Sequence, residues 1–355
     1  MAPLSKGDTV AVTGSTGFIG GWLVSKLLEG GYVVRACVRD EASPKADFLR
    51  AMPGFSIGQL SLHSCDINCR GAFDAAFSGC QGVLHAAADA DLPLEMRADG
   101  YPDTSRFLID SINKAETVSR VIYTSSVASL AGDSDLESFR ARPVICEERQ
   151  SGLEHLNGYS LGKIRSENLF VEAAAASGRW DTFVVNPTDN LGPVLAAHHA
   201  EERAAWMPWQ AIVARILAGR EFPQTFQYRP LWVVDVRDTA AAHLRLLECD
   251  GMRAGSRFLA FSGESICVED IGDRLVALFP ELGLTPSRQP AAAGAADAGE
   301  AEAEAQAREI WAQCEVRNDK IRNELGLTFR SLDDTLKECA ESLLSIAGVR
   351  PKQKT

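Results

Sequence analysis

A tyrosine and a lysine four residues apart, in the run Tyr159-Ser160-Leu161-Gly162-Lys163, open a stretch with helical periodicity that continues to residue 174. That spacing puts a phenol and an ammonium on one helical face, about 6 Å apart along the axis, so the two can act together. A free phenol titrates near pH 10, and a neighbouring cation favours phenolate; reaching about pH 7 corresponds to roughly 4 kcal/mol. Such tuning is what proton exchange with a substrate oxygen requires. Thr124-Ser125-Ser126 follows the apolar run at 120–123. One of these hydroxyls can hydrogen-bond a carbonyl while another bonds backbone. Tyr-x-x-x-Lys alone is a common helical pattern, and it gains weight only beside the serine-ended strand and a glycine turn in this chain order.

That turn is Thr13-Gly14-Ser15-Thr16-Gly17-Phe18-Ile19-Gly20, between a β-branched run at 9–13 and a helical pattern at 18–29. Gly14 permits a tight turn, Gly17 lets the backbone approach a pyrophosphate, and Gly20 allows close helix packing, while the helix amino terminus favours negative charge. The next strand ends in Val38-Arg39-Asp40. A chain preferring NAD would set a carboxylate against the ribose hydroxyls there. Arg39 suits the 2′-phosphate of NADP instead, with Lys45 assisting, and Asp40 keeps the opposite reading open. NADPH/NADP is the expected cofactor.

Short β-branched runs at 9–13, 32–38, 82–85 and 120–123 alternate with longer amphipathic stretches, which predicts a parallel sheet with helices on both faces. Another apolar run, 182–185, ends at Asn186-Pro187, and 191–230 is richer in Trp, Pro and His, as a cap would be. Residues 233–236 read as one more strand, followed by a helix over 238–249. The expected architecture is therefore α/β: a Rossmann-type doubly wound parallel sheet in residues 1–187, with a return segment at 231–249. A smaller, interleaved C-terminal substrate-binding cap takes 188–230 and 250–355. The Ala/Gly/Glu/Asp-rich segment 291–307 reads as flexible in its glycine half and helical in its Glu/Ala half, with no chemistry assigned.

A chain of 355 residues, 46% hydrophobic and 24% charged, can bury a sizeable core. Its net charge of −12 offers no footprint for nucleic acid or an anionic membrane. The nine cysteines are scattered without a C-x-x-C pair, as expected of a reducing compartment. The first twelve residues lack the apolar core of a signal peptide, and no run is long enough to span a bilayer, so a cytoplasmic monomer or homodimer is expected. His198-His199, near Glu201 and Glu202, read as a solvated loop rather than a metal site, and no metal is expected. His85 ends a strand as a packed or cofactor-adjacent side chain. Trp206, Met207, Trp209 and Ile212 form an amphipathic stretch that is either core or the wall of an apolar pocket.

Taken together, the chain resembles the extended short-chain dehydrogenase/reductases, in the group of dihydroflavonol reductases, cinnamoyl-CoA reductases and related aldehyde reductases. The motifs that carry the resemblance include Val10 and Val12, the glycine turn, Val38-Arg39-Asp40, Asp66-Ile67, 121–126, Tyr159 to Lys163, Asn186-Pro187, Gly192-Pro193, 234–240 and Glu324-Leu325-Gly326-Leu327. The resemblance implies Ser126 as catalytic serine, Tyr159 as acid-base and Lys163 as ribose partner. It implies cofactor contacts at Gly14, Thr16, Gly17, Phe18, Ile19, Gly20, Arg39, Lys45, Asp66, Ile67, Ala87, Thr124, Asn186 and Pro187. Departures concern the substrate. Members acting on flavonoids or cinnamoyl thioesters carry Asn or Tyr where this chain has Ala131, and Thr188-Asp189-Asn190 are polar where the family is apolar. Asp189 and Asn190 either face the substrate, or Asp189 caps a short helix while Asn190 makes a turn.

The expected reaction is NADPH-dependent reduction of an aldehyde or ketone. An acyl-CoA thioester reductase, with Arg203, Arg215, Arg220 and Arg229 near the nucleotide, is the alternative. Epimerases and dehydratases of this fold usually prefer tightly held NAD, against which Arg39 counts. A non-catalytic NADP-sensing protein would have lost Ser126, Tyr159 and Lys163.

Overall fold

Strand β1 (Thr9–Thr13) sends Val10 and Val12 into one hydrophobic core and Ala11 into another, the alternation expected of a strand buried on both faces. In this computed structural model, which describes residues 1–132, 136–149, 156–202, 207–220, 230–284, 306 and 309–352, β1 is an inner strand of a seven-stranded parallel sheet. On one side lie β2 (Val33–Val38) and β3 (Leu60–Ser64); on the other lie β4 (Gly82–His85) and β5 (Arg120–Thr124). Beyond a two-residue strand outside this sheet, β6 (Val144–Ile145), come β7 (Asp181–Pro187) and, after two strands of another sheet, β8 (Asp189–Leu191) and β9 (Leu231–Asp235), the edge strand β10 (Arg257–Ala260). The chain builds outward from β1 through β3 and then returns to β4. The reversal opens a crevice between the carboxyl ends of β1 and β4, where open α/β sheets bind ligands. Thr13 pairs in register with both Cys37 and His85, so three strand ends line that crevice.

The helices Phe18–Glu29 and Val236–Glu248 pack on each other and bury the Val10 face, with Leu23, Leu27, Leu246 and Leu247. Arg97–Lys114 and Gly158–Ser177 cover the other face with Leu108, Ile112 and Phe170. This is the doubly wound arrangement expected. A third core lies under β8, β9 and β11 (Ser265–Ile266), which form a three-stranded sheet; a last short strand, β12 (Glu315–Val316), pairs β6. Helices Trp209–Leu217, Val268–Leu278 and Leu332–Ser345 supply Ile212, Ile271, Leu275 and Leu336 to that core.

Two strands sit elsewhere than expected. The 233–236 run lies within β9 up to Asp235, and β9 pairs β8 and β11, not the large sheet. Arg257–Ala260, placed in the cap by sequence, is instead the large sheet's edge, in register with Val184 to Pro187. Both are short, largely apolar runs with one charged end, Asp235 in β9 and Arg257 in β10, and periodicity identifies such a run without naming its partner. The helix after β9 does return to the first core, with Ala240, Ala242 and Leu246 buried there. Trp206, Arg203, Arg229 and all of 291–307 except Gln306 lie outside the described residues.

Candidate active site

The glycine turn is built on contacts that exclude a side chain. Gly14 has φ +70°, and a Cβ there would stand 2.9 Å from the Ala87 backbone; at Gly20 it would stand 2.0 Å from the Gly14 carbonyl oxygen. Ser15 ties the turn down by donating its hydroxyl to Val12 O at 2.7 Å. Gly17 is the N-cap of the helix beginning at Phe18 and offers no side-chain oxygen to its free N–H groups. The first-turn donors of that helix thus face outward beside half-buried Phe18 and Ile19. A phosphate-bearing ligand fits this cradle.

At the end of β2, Arg39 is exposed and has no ion pair among the described residues. The Asp40 carboxylate turns back to accept the Ala42 N–H at 2.9 Å. The ambiguity in the sequence is thereby reduced: the acid is engaged by its own turn and the guanidinium is available. Lys45 reaches the exposed carboxylate of Glu201 at 3.7 Å. Asp66 accepts the Asn68 N–H at 3.0 Å, and Ile67 is buried in the Phe170 core. The Ala87 N–H donates to Thr13 Oγ1 at 3.2 Å, which keeps the β4 exit against the turn.

Tyr159 sits in the first turn of the helix Gly158–Ser177, whose N-cap Asn157 accepts the Ser160 N–H at 2.9 Å. Two glycines let this helix approach its neighbour. A Cβ on Gly158 would lie 2.0 Å from Leu94 O, and one on Gly162 would lie 2.3 Å from Arg97 O. The close approach brings Tyr101 edge-on to Tyr159, with centroids 6.1 Å apart. Lys163 is buried and donates to the Thr124 carbonyl at 3.1 Å. Its ammonium lies 5.9 Å from the Tyr159 and Tyr101 ring centroids and 5.3 Å from that of Tyr123. Burial pulls Lys163 down to about 8, partly opposed by Glu167.

Of the two serines, Ser125 is buried and hydrogen-bonds Glu167. Ser126 is half-buried at the start of a 3-10 turn, and its Oγ accepts the Ala128 N–H at 3.2 Å. With an oxygen lone pair so engaged, the hydroxyl proton is left to donate. Thr124 donates Oγ1–H to His243 Nε2 at 2.8 Å, because His243 Nδ1 must carry the proton given to Thr239 O. His85 packs against both Tyr123 and Phe170, whose rings are stacked on each other, and meets Thr13 Oγ1 at 2.7 Å. Burial pulls His85 down to about 3 and His243 to about 4, so both are neutral supports.

The residues expected near a substrate are divided. Asp189 is buried and accepts the Trp232 N–H at 2.9 Å; Asn190 donates to Thr188 O at 3.2 Å and accepts from Thr239 Oγ1 at 2.7 Å. Both serve the junction between the sheets, within a strand rather than at the helix cap or turn that sequence offered as the local alternative. Ala131 is buried with Trp232 and Trp311, and Trp209 packs half-buried against the core under β8, β9 and β11. Asn186 is buried, donating to Ser126 O at 3.2 Å and Ser129 Oγ at 2.9 Å, and Pro187 ends β7 beside it.

Sequence reading misplaced one pair and missed one residue. His198 and His199 are not a solvated loop: both Nε2 groups meet the Thr16 carbonyl, at 2.8 and 3.2 Å, and both rings pack on Phe48. A polar run with no periodicity gave no sign of docking onto the turn. Glu167, with relative exposure of 1%, was not singled out, although it lies four residues beyond Lys163. Among the described residues no cluster of three or more metal-ligating side chains occurs, and no helix is long and apolar enough to cross a membrane.

With this geometry in view, residues 10–259 match the NAD dependent epimerase/dehydratase family. The chain belongs to that family. It is 32% identical over 289 residues to cinnamoyl-CoA reductase 2 of Arabidopsis thaliana, spanning 79% of this chain and 80% of that protein. It is 31% identical over 301 residues to dihydroflavonol 4-reductase of Zea mays, spanning 81% and 79%. Yeast methylglyoxal/isovaleraldehyde reductase Gre2, solved with NADPH, shares the fold with a TM-score of 0.74 at 24% identity, over 96% of this chain and 100% of that one. The family member is thus an oxidoreductase of the extended short-chain dehydrogenase/reductase type, as its motifs implied.

Proposed function

We propose that the protein reduces an aldehyde or ketone with NADPH, Tyr159 supplying the proton. The observation that carries this reading is the seat of Lys163, whose ammonium is bonded to the Thr124 carbonyl at the end of β5 at 3.1 Å, two residues before Ser126, and lies 5.9 Å from the Tyr159 ring centroid. NADPH, when bound, supplies the hydride for the carbonyl carbon. The glycine turn and first-turn N–H groups of Phe18–Glu29 hold its pyrophosphate, and Arg39 its 2′-phosphate. Ser126 donates its hydroxyl to the substrate oxygen and orients it. Tyr159 delivers its phenolic proton to that oxygen, and the Lys163 ammonium stabilises the phenolate that results. Arg39, exposed at the strand end, favours this reading over an NAD-retaining epimerase.

A CoA thioester is the second candidate substrate, favoured by the 32% identity to a cinnamoyl-CoA reductase over four fifths of both chains. Of the arginines available to its nucleotide, Arg215 is already paired with Glu202 at 2.6 Å. The test is a panel of aldehydes, ketones and CoA thioesters followed by loss of NADPH absorbance. Turnover of simple carbonyls is expected; turnover confined to thioesters would replace the first reading with the second, and turnover of none would overturn both.

A further inference from the structure

Glu167 has no part in the mechanism above, yet it is a buried carboxylate on which four donors converge. Ser125 Oγ, Ser129 Oγ at 2.5 Å and Asn186 Nδ2 at 2.9 Å bond Oε1, and Arg257 Nε pairs with Oε2 at 2.8 Å. These donors come from the end of β5, the 3-10 turn after it, the end of β7 and the edge strand β10. The three hydrogen bonds all fall on Oε1, while Oε2 is buried without a hydrogen bond and is met by the Arg257 guanidinium as an ion pair, a charge that an amide would not balance. The position of Glu167 on the helix, one turn beyond Lys163, puts that anion within electrostatic reach of a buried ammonium without a direct ion pair between them.

We propose that Glu167 is a positioning residue whose charge keeps Lys163 protonated, and that Arg257 sets the strength of this effect by partly neutralising it. The role in the reaction rests on the reading given to Lys163 under the proposed function. The other groups facing Lys163 do not supply this charge. Tyr159 lies on its own helix, Tyr101 comes from Arg97–Lys114, Tyr123 and the Thr124 carbonyl from β5, and His85 from β4. Burial pushes the Tyr101 and Tyr123 phenols up and His85 down, so all three stay neutral between pH 6 and 9. Arg97 and Asp89 bear on Tyr101 rather than on Lys163. Against the desolvation that pulls Lys163 to about 8, Glu167 is the opposing influence.

The sign follows. Without the Glu167 charge, the ammonium is lost at lower pH; without Arg257, the carboxylate acts unopposed and the ammonium persists to higher pH. The experiment is a titration of the lysine-labelled protein by carbon NMR, with the Lys163 Cε resonance assigned by its absence in Lys163→Met. The midpoint is expected to fall by about one pH unit in Glu167→Gln and to rise in Arg257→Gln, since a nearby buried charge shifts a titration by about that much. Opposite displacements cannot arise from general loosening. Unmoved midpoints, or displacement in one direction by both variants, would overturn the proposal; if Glu167→Gln does not fold, the rise in Arg257→Gln decides alone. NADPH affinity, measured by its fluorescence over the same pH range, should follow the midpoint in each protein. If the midpoints move as expected and affinity does not follow, the role of Lys163 in cofactor binding fails and the electrostatic assignment stands.

Discussion

At the scale of single residues, the phenol of Tyr159 and the guanidinium of Arg39 make separable claims. Tyr159→Phe keeps the ring that meets Tyr101 and removes the transferable proton. Turnover should drop by 10²–10⁴-fold, roughly what general acid catalysis contributes, while NADPH affinity measured by fluorescence stays within about twofold. A variant keeping more than about a tenth of the rate would remove Tyr159 from the mechanism. Arg39 acts on the cofactor alone, through charge-assisted bonds worth roughly 1.5–3 kcal/mol. Arg39→Ala should narrow the ratio of NADPH to NADH efficiency by about ten- to a hundredfold, and a wild-type protein using both equally would refute the assignment. Chemistry-bearing residues were legible in the sequence because their spacing is set by the helix and by strand ends. Glu167 was not, because its meaning depends on Arg257, ninety residues away and brought near only by the pairing of β10 with β7.

Elements were legible where periodicity and turn chemistry agreed, as in β1, the glycine turn and the helix after it. They were not where a short apolar run had to choose a partner: β9 and β10 read alike, and only the packing of Val233 into one core and Phe258 into the other separates them. The glycine turn gives the sharpest expectation at this scale. Gly20→Ala forces a methyl to within 2.0 Å of the Gly14 carbonyl oxygen, a contact that rigid backbone on both sides cannot relieve. NADPH affinity should fall by at least tenfold, with a lower melting temperature, whereas Gly7→Ala, a glycine with open space around its Cβ but φ +92°, should cost stability without touching affinity. Equal affinity in Gly20→Ala and wild type would show that the turn does not hold the cofactor.

Across the whole molecule, two neutral histidines at strand and helix positions under the site set a limit on acid stability. Native His85 and His243 titrate at about 3 and 4, against about 6.5 when unfolded. The stability they support is complete above pH 6.5 and is lost as pH falls toward 4, because only the unfolded chain takes up the protons, at about 1.4 kcal/mol per unit for each group. The melting temperature should therefore drop between pH 7.5 and 5, and the drop should shrink in His85→Asn and His243→Asn; an unchanged drop in both would refute this origin. The imidazoles of His198 and His199 have a different consequence. They belong to the segment that follows β8, yet they hold the carbonyl of Thr16 in the turn of β1. Occupancy of the turn and seating of that segment are then linked equilibria, and linkage is reciprocal. Saturation with NADPH should slow amide hydrogen exchange in residues 195–202 as well as in 14–20. Replacing both histidines with alanine should abolish the distant protection while the local protection remains, which would make this segment a reporter of whether the cofactor is in place.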